Sequence, residues 1–163
     1  MRKADKVGMA LAAGVLAADQ ISKLLVETGM AVHQSIAVIP GLVNLTHVRN
    51  TGAAFGLFAA SVPGVRTALL LVAALVAVGV VACLWIRERQ AHALHISSLS
   101  LILSGAVGNM IDRVRLGEVV DFVDLHWKGL HWPAFNVADS AITVGVALLL
   151  LQVLRPAGGR PSR

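Results

Sequence analysis

The sequence predicts an all-α membrane protein: four transmembrane helices with a small β-rich outer subdomain. Three observations predict it. Hydrophobic residues make up 56% of the chain and charged residues only 14%, with a mean hydropathy of +0.76, too apolar for an ordinary soluble domain. Four apolar stretches are each long enough to cross a hydrocarbon layer of ~30 Å at about 1.5 Å per residue. The basic residues gather at the ends of those stretches, so a net charge of +5 is better explained by membrane orientation than by nucleic acid. At 163 residues the chain reads as a single integral membrane domain, 1–163.

The first span is 7–26. Its basic start and apolar body resemble a signal peptide. No small-residue cleavage site follows, however, and Asp19 and Lys23 interrupt the later half, so the helix is expected to be retained. Asp19 and Lys23 are i, i+4 on one face, which reads as an intrahelical ion pair fixing this helix. The outer loop 27–66 is too long for a simple turn. Within it, 36–39 and 42–48 are β-rich runs around the turn signal Pro40-Gly41. Asn50-Thr51-Gly52 is turn-like. The apolar stretch 53–62, with Phe55 and Phe58 at i, i+3, is suited to lie flat in the interface.

The second span, 67–86, carries no charge and is expected to be the most lipid-exposed. It holds Cys83, the one cysteine, which excludes an intrachain disulfide and a cysteine metal site. In the third span, 92–111, Gly105 and Gly108 permit close approach by another helix or a substrate. Asn109 and Asp112 share a face at its end, where a polar clamp between helices is one reading. The second outer loop, 112–136, carries Trp127, His131 and Trp132, residues suited to headgroup depth. The fourth span is 137–154.

Four spans put both termini on one side. Arg2, Lys3, Lys6, Arg87, Arg89, Arg155, Arg160 and Arg163 map there, against Arg49, Arg66, Arg113, Arg115 and Lys128 over longer loops opposite. The positive-inside rule makes the termini cytoplasmic, with Arg113 and Arg115 a local exception favoured by a helix C-terminus. The acids then separate. Asp5 and Glu88 fall on the cytoplasmic side. Asp19, Glu27, Asp112, Glu118, Asp121, Asp124 and Asp139 fall in the outer half, Asp19 being about 18 Å into its span. Carboxylates at membrane depth cost about 2.5–3.5 kcal/mol each on insertion scales. Gathering them at one interface implies a polar site there.

Asp121 and Asp139 bracket the second outer loop. Two carboxylates held together cannot both ionise easily and share a proton. The ionised partner can then deprotonate water while the neutral one hydrogen-bonds a scissile carbonyl, which is peptide hydrolysis without a metal or a covalent intermediate. Two plainer readings stand beside this. Asn136-x-x-Asp139 also fits an N-cap with an acid at N3, and Asp124 is placed as well as Asp121. The histidines show no metalloprotease spacing; His126 and His131, five apart in a loop, are a weak metal signal. No phosphate-binding loop, nucleophile elbow or dinucleotide fingerprint is present.

Five blocks occur in order along 19–140: Asp19-Gln-Ile-Ser-Lys23, Asn50-Thr-Gly-Ala-Ala-Phe55, Gly105-Ala-Val-Gly-Asn109-Met-Ile-Asp112-Arg113, Val119-Val-Asp121-Phe122 and Phe135-Asn136-Val-Ala-Asp139-Ser140. Together they resemble the lipoprotein signal peptidase family (type II signal peptidases). The resemblance implies an intramembrane aspartyl protease that cuts a diacylglyceryl-modified prolipoprotein just before its lipidated cysteine. Asp121 and Asp139 carry over as the catalytic dyad, a position that Asp124 does not match. Asn109, Asp112, Arg113 and Asn136 carry over as supporting polar residues, and Asp19, Lys23 and Asn50 as family positions of less certain role. The stretch 128–132 lies outside the motifs. On this reading the chain is a monomer of the bacterial inner membrane. It needs no cofactor and no metal, and its partners are its lipidated substrate and membrane lipids, not nucleic acid. Two alternatives remain: a small proton-coupled transporter or lipid carrier, which would place acids near the midplane, and a structural subunit whose acids only join helices.

Overall fold

The computed structural model describes residues 2–52, 63–87 and 92–154. The elements run α1 (Lys3–Gly29), β1 (Ser35–Ile39), β2 (Val43–Asn50), α2 (Pro63–Arg87), α3 (Ala93–Leu116), β3 (Val119–Trp127), β4 (Leu130–His131) and α4 (Val137–Leu154). The stretch 53–62, read from sequence as interfacial, lies outside the described residues.

All four helices are long and apolar enough to cross a membrane, and α4 has the expected bounds. The other three overrun them: α1 is Lys3–Gly29, α2 is Pro63–Arg87 and α3 continues to Leu116. Apolarity marks only the lipid-facing part of a helix, whereas backbone hydrogen bonding carries it further. In α3 the extra turn holds Arg113 and Arg115, cations beside the terminal carbonyls. It stops at Gly117, whose left-handed φ of 75° lets its N–H return to the Arg113 carbonyl. The uncharged stretch of α2, 67–86, has no buried residue, and Cys83 on it is exposed, as expected of a lipid-facing helix.

Helix α3 is the centre of the bundle and packs on α1, α2 and α4. Small residues set how closely α3 meets α4 and α1. A Cβ on Gly105 would overlap the Ala138 carbonyl oxygen and come within 2.7 Å of the Ile142 side chain. A Cβ on Gly108 would lie 2.5 Å from an Asp19 carboxylate oxygen. Gly105→Ala is therefore expected to force α4 outward at a cost of about 1–3 kcal/mol. Thermal unfolding in detergent checks this; an unchanged midpoint would show that the helices yield freely.

The outer segment 112–136 is not the plain loop expected of it. Its β-branched and aromatic run Val119–Trp127 forms β3, and the sheet is antiparallel in the order β1-β2-β3-β4. The β3–β4 turn is Lys128-Gly129, both at positive φ (49° and 82°), the backbone a two-residue hairpin requires. Alternation along β3 sorts its faces. Val120 and Phe122 pack with Val26 and Met30 at the end of α1, while Asp121 and Leu125 face an open cavity. The β2–β3 register slips between Leu45 and Val48. This bulge buries His47, whose Nδ1 lies 3.0 Å from the Met30 carbonyl, and ties the sheet to the end of α1.

Candidate active site

Chain topology brings the two distant aspartates together. After β4 the chain doubles back along β3: Phe135 bridges Val123, its carbonyl accepting from the N–H groups of Phe122 and Val123 at 3.1 and 2.9 Å. That bridge sets Asn136 beside Asp121 just as α4 begins. Asn136 Nδ2 donates to Asp121 Oδ1 at 2.7 Å, with the Val120 carbonyl and Asn109 Oδ1 both at 3.2 Å. Its Oδ1 accepts from Asp139 N–H at 2.9 Å, and Asp139 Oδ2 accepts from Asn136 N–H at 3.3 Å. This reciprocal cap starts α4. The capping reading of Asn136 and Asp139 is thus correct and does not compete with a site. The cap fixes Asp139 while leaving it half-buried on the cavity wall.

Asp121 is only 1% exposed. Asn50, at the end of β2, donates from Nδ2 to Asp121 Oδ2 at 2.8 Å, while Asn50 Oδ1 accepts from Gly52 N–H at 2.8 Å. The turn read at Asn50-Thr51-Gly52 therefore aims an amide at the carboxylate. Burial pushes the Asp121 carboxyl up to about 7, and the charge of Asp139 adds to the rise. Hydrogen bonds from Asn50 and Asn136 and the Lys23 ammonium hold it back. A carboxyl that keeps its proton near neutrality beside a second carboxyl is the pattern of a proton-sharing pair.

Behind the pair lies a buried ion cluster. The Lys23–Asp19 pair expected within α1 is present at 2.9 Å, but it is half of the arrangement. Lys23 also pairs with Asp112 at 2.7 Å and donates to Asn109 Oδ1 at 3.0 Å, and Lys23, Asp19 and Asp112 are fully buried. Asp19 Oδ1 accepts from Ala138 N–H at 2.9 Å, so α1 satisfies a free donor in the first turn of α4. Asp112 accepts from Val120 N–H at 3.3 Å and so anchors β3. The amide of Asn109 has one orientation open to it, because an ammonium only donates. Its oxygen faces Lys23, so its NH₂ faces Asp139 Oδ1, at 2.7 Å. Arg113 Nη1 donates to the Asn109 carbonyl at 3.2 Å.

The structure thus gathers Asp19, Lys23, Asn50, Asn109, Asp112, Arg113, Asp121, Asn136 and Asp139 into one hydrogen-bonded assembly. Asp124 is elsewhere. Three residues from Asp121 on a strand, it points to the opposite face, where Asn44 Nδ2 donates to it at 2.9 Å and His131 Nδ1 lies 2.9 Å away. Gln20 was missed from sequence. Its amide reaches Asp19 at 3.1 Å, Asp112 at 3.2 Å and the Gly108 carbonyl at 3.3 Å, and its place within the first block, beside Asp19, was the available signal. The cavity, about 960 Å³, is open to the outside and joins Asp121 and Asp139 to apolar walls from Val48, Leu125, Trp132, Phe135 and Val144.

Comparison with known proteins gives the family. The family model described as signal peptidase (SPase) II matches residues 11–155. A lipoprotein signal peptidase of Geobacter sulfurreducens is 47% identical over 155 residues, covering 95% of this chain and 96% of its own length. One from Geobacter metallireducens is 52% identical over 140 residues, 86% of this chain and 85% of its own. A solved structure described as a bacterial membrane enzyme superposes with a TM-score of 0.85 at 32% identity, covering 97% of this chain and 93% of that one. A second, also described as a bacterial membrane enzyme, gives 0.83 at 34%, covering 93% and 95%. The chain belongs to the signal peptidase II family.

Proposed function

We propose that this chain is an intramembrane aspartyl endopeptidase of the bacterial inner membrane. It removes signal peptides from prolipoproteins that carry a diacylglyceryl group, cutting just before the lipidated cysteine, with Asp121 and Asp139 as the catalytic pair. The observation that carries the reading is that both carboxyls line one cavity while burial lifts Asp121 to about 7. At neutral pH such a pair holds one proton. The ionised member draws a proton from water as it attacks the scissile carbonyl, and the neutral member donates to the carbonyl oxygen. The proton belongs to the pair rather than to either residue. Asn50, Asn109 and Asn136 hold both carboxyls in place through the transfer. The apolar walls suit a substrate with an apolar signal helix and acyl chains.

The grouping supports this over a transporter. Asp139 lies in the first turn of α4 and Asp112 near the last turn of α3, at one end of the bundle instead of its middle. With both termini cytoplasmic that end faces outward, where a translocated signal peptide presents its cleavage point. The protein acts as a monomer. Incubating the purified protein with a diacylglyceryl-modified prolipoprotein and with its unlipidated form tests the reading. Cleavage of the first alone, giving an N-terminal lipidated cysteine and persisting with a chelator, is the expected result. Indifference to the lipid would refute the substrate assignment.

The protonation of Asp121 gives a second expectation. The pair keeps its proton up to about pH 7, and above that both carboxyls ionise and no acid remains. The rate is therefore expected to fall on the alkaline side with an apparent pKa near 7. Asn50 stabilises the ionised form of Asp121, so Asn50→Ala moves this limb to higher pH. A limb that moved down, or not at all, would show that the limb does not report Asp121.

A further inference from the structure

The β3–β4 hairpin brings together three metal-ligating side chains that the dyad does not use. Asp124 and His126 lie on one face of β3, and His131 pairs with His126 across the strands. The two imidazoles stack with centroids 5.0 Å apart and planes within 14°, and both turn Nδ1 toward Asp124. His131 Nδ1 lies 2.9 and 3.2 Å from the two Asp124 oxygens, and His126 Nδ1 lies 3.9 Å from Oδ2. One ligand atom from each residue falls within 4.8 Å of the others. Bonds of 2.0–2.1 Å to a tetrahedral zinc ion put its donors about 3.4 Å apart, so the present separations bracket the requirement. Two features go beyond proximity. His126 Nδ1 is buried with no hydrogen-bond partner among the described residues. Asn44 Nδ2 donates to Asp124 Oδ2 at 2.9 Å, the outer hydrogen bond that orients a ligating carboxylate.

We propose that Asp124, His126 and His131 form a binding site for a divalent transition-metal ion of the zinc class, which staples β3 to β4. Each neutral imidazole offers Nδ1 and keeps its proton on Nε2, Asp124 supplies the negative oxygen, and solvent completes the tetrahedron. The five-residue spacing is only a weak metal signal in the sequence; the structure adds a two-residue turn that sets His126 and His131 directly opposite. The site is separate from the dyad. Its consequence is mechanical, because the other face of the same hairpin carries Leu125 and Trp132, joined by a 2.8 Å backbone hydrogen bond and forming part of the cavity wall. A metal closing one face holds the other in register.

The test uses full-length, untagged protein in detergent, stripped with a chelator and titrated with Co²⁺ as a visible probe. One saturable equivalent with a tetrahedral-type absorption band, displaced by Zn²⁺, is expected. Asn44→Ala is expected to weaken binding about 10-fold, and loss of a direct ligand in His131→Ala by at least about 100-fold. His131 is exposed, so that variant should fold. Zn²⁺ should also raise the unfolding temperature of the unsubstituted protein and not that of His131→Ala. Absence of saturable binding, or binding unchanged in both His131→Ala and Asp124→Asn, would overturn the site.

Discussion

Asp121→Asn and Asp139→Asn are each expected to abolish cleavage of a lipidated prolipoprotein while the protein stays folded. Either change removes one ionisable carboxyl and with it the shared proton. A positioned acid or base contributes about 10²–10⁴-fold. A residue acting as part of a unit loses nearly the whole effect, so a fall on the order of 10⁴-fold is expected for each. Asp124→Asn is the control within the same strand. Its carboxylate faces Asn44 and His131, outside the cavity, and with both proteins stripped of metal its cleavage rate should stay close to that of the unsubstituted protein. Initial rates in detergent, with thermal unfolding as the fold check, decide the matter.

Lys23→Met is expected to be the most destabilising single change in the buried assembly. The side chain is fully buried and neutralises Asp19 and Asp112 at 2.9 and 2.7 Å. Removing it strands two carboxylates, and breaking a buried pair from one side typically costs about 3–5 kcal/mol. Both acids also hold other elements, Asp19 the start of α4 and Asp112 the start of β3, so the damage spreads. Asn109 loses the ammonium that orients it, and Asp139 loses a fixed donor, so cleavage should fall with stability. Adding Asp19→Asn and Asp112→Asn should recover much of the stability, because an apolar or neutral replacement of a whole ion cluster is often tolerated. A melting point unchanged in Lys23→Met would mean that the cluster is not held by charge.

Much of this was legible in the sequence because membrane chemistry is sparing with polar residues. An uncharged run such as 67–86 has few structural options, and an aspartate at membrane depth announces a partner. The residue pairs Asp19/Lys23 and Asn109/Asp112 were readable because a helix puts i, i+3 and i, i+4 on one face. Contacts between elements were not readable. Nothing in the spacing says that Lys23 of α1 meets Asp112 of α3, or that Asp19 caps α4, since those depend on helix packing through Gly105 and Gly108. Strand β3 was missed because each of its faces mixes apolar and acidic residues, Asp121 between Val119 and Val123 on one and Asp124 beside Phe122 on the other, which blurs alternation. With it went the separation of Asp121 from Asp124 and the pairing of His126 with His131.

The central claim is that Asp121 and Asp139 act as one unit, and comparing single and double substitutions tests it most directly. Cleavage rates are measured for Asp121→Asn, Asp139→Asn and the double variant on one lipidated substrate at one pH. A single proton-sharing pair predicts three residual rates that agree, because the first substitution already removes the unit. Losses that multiply in the double variant, or full activity in either single variant, would contradict it.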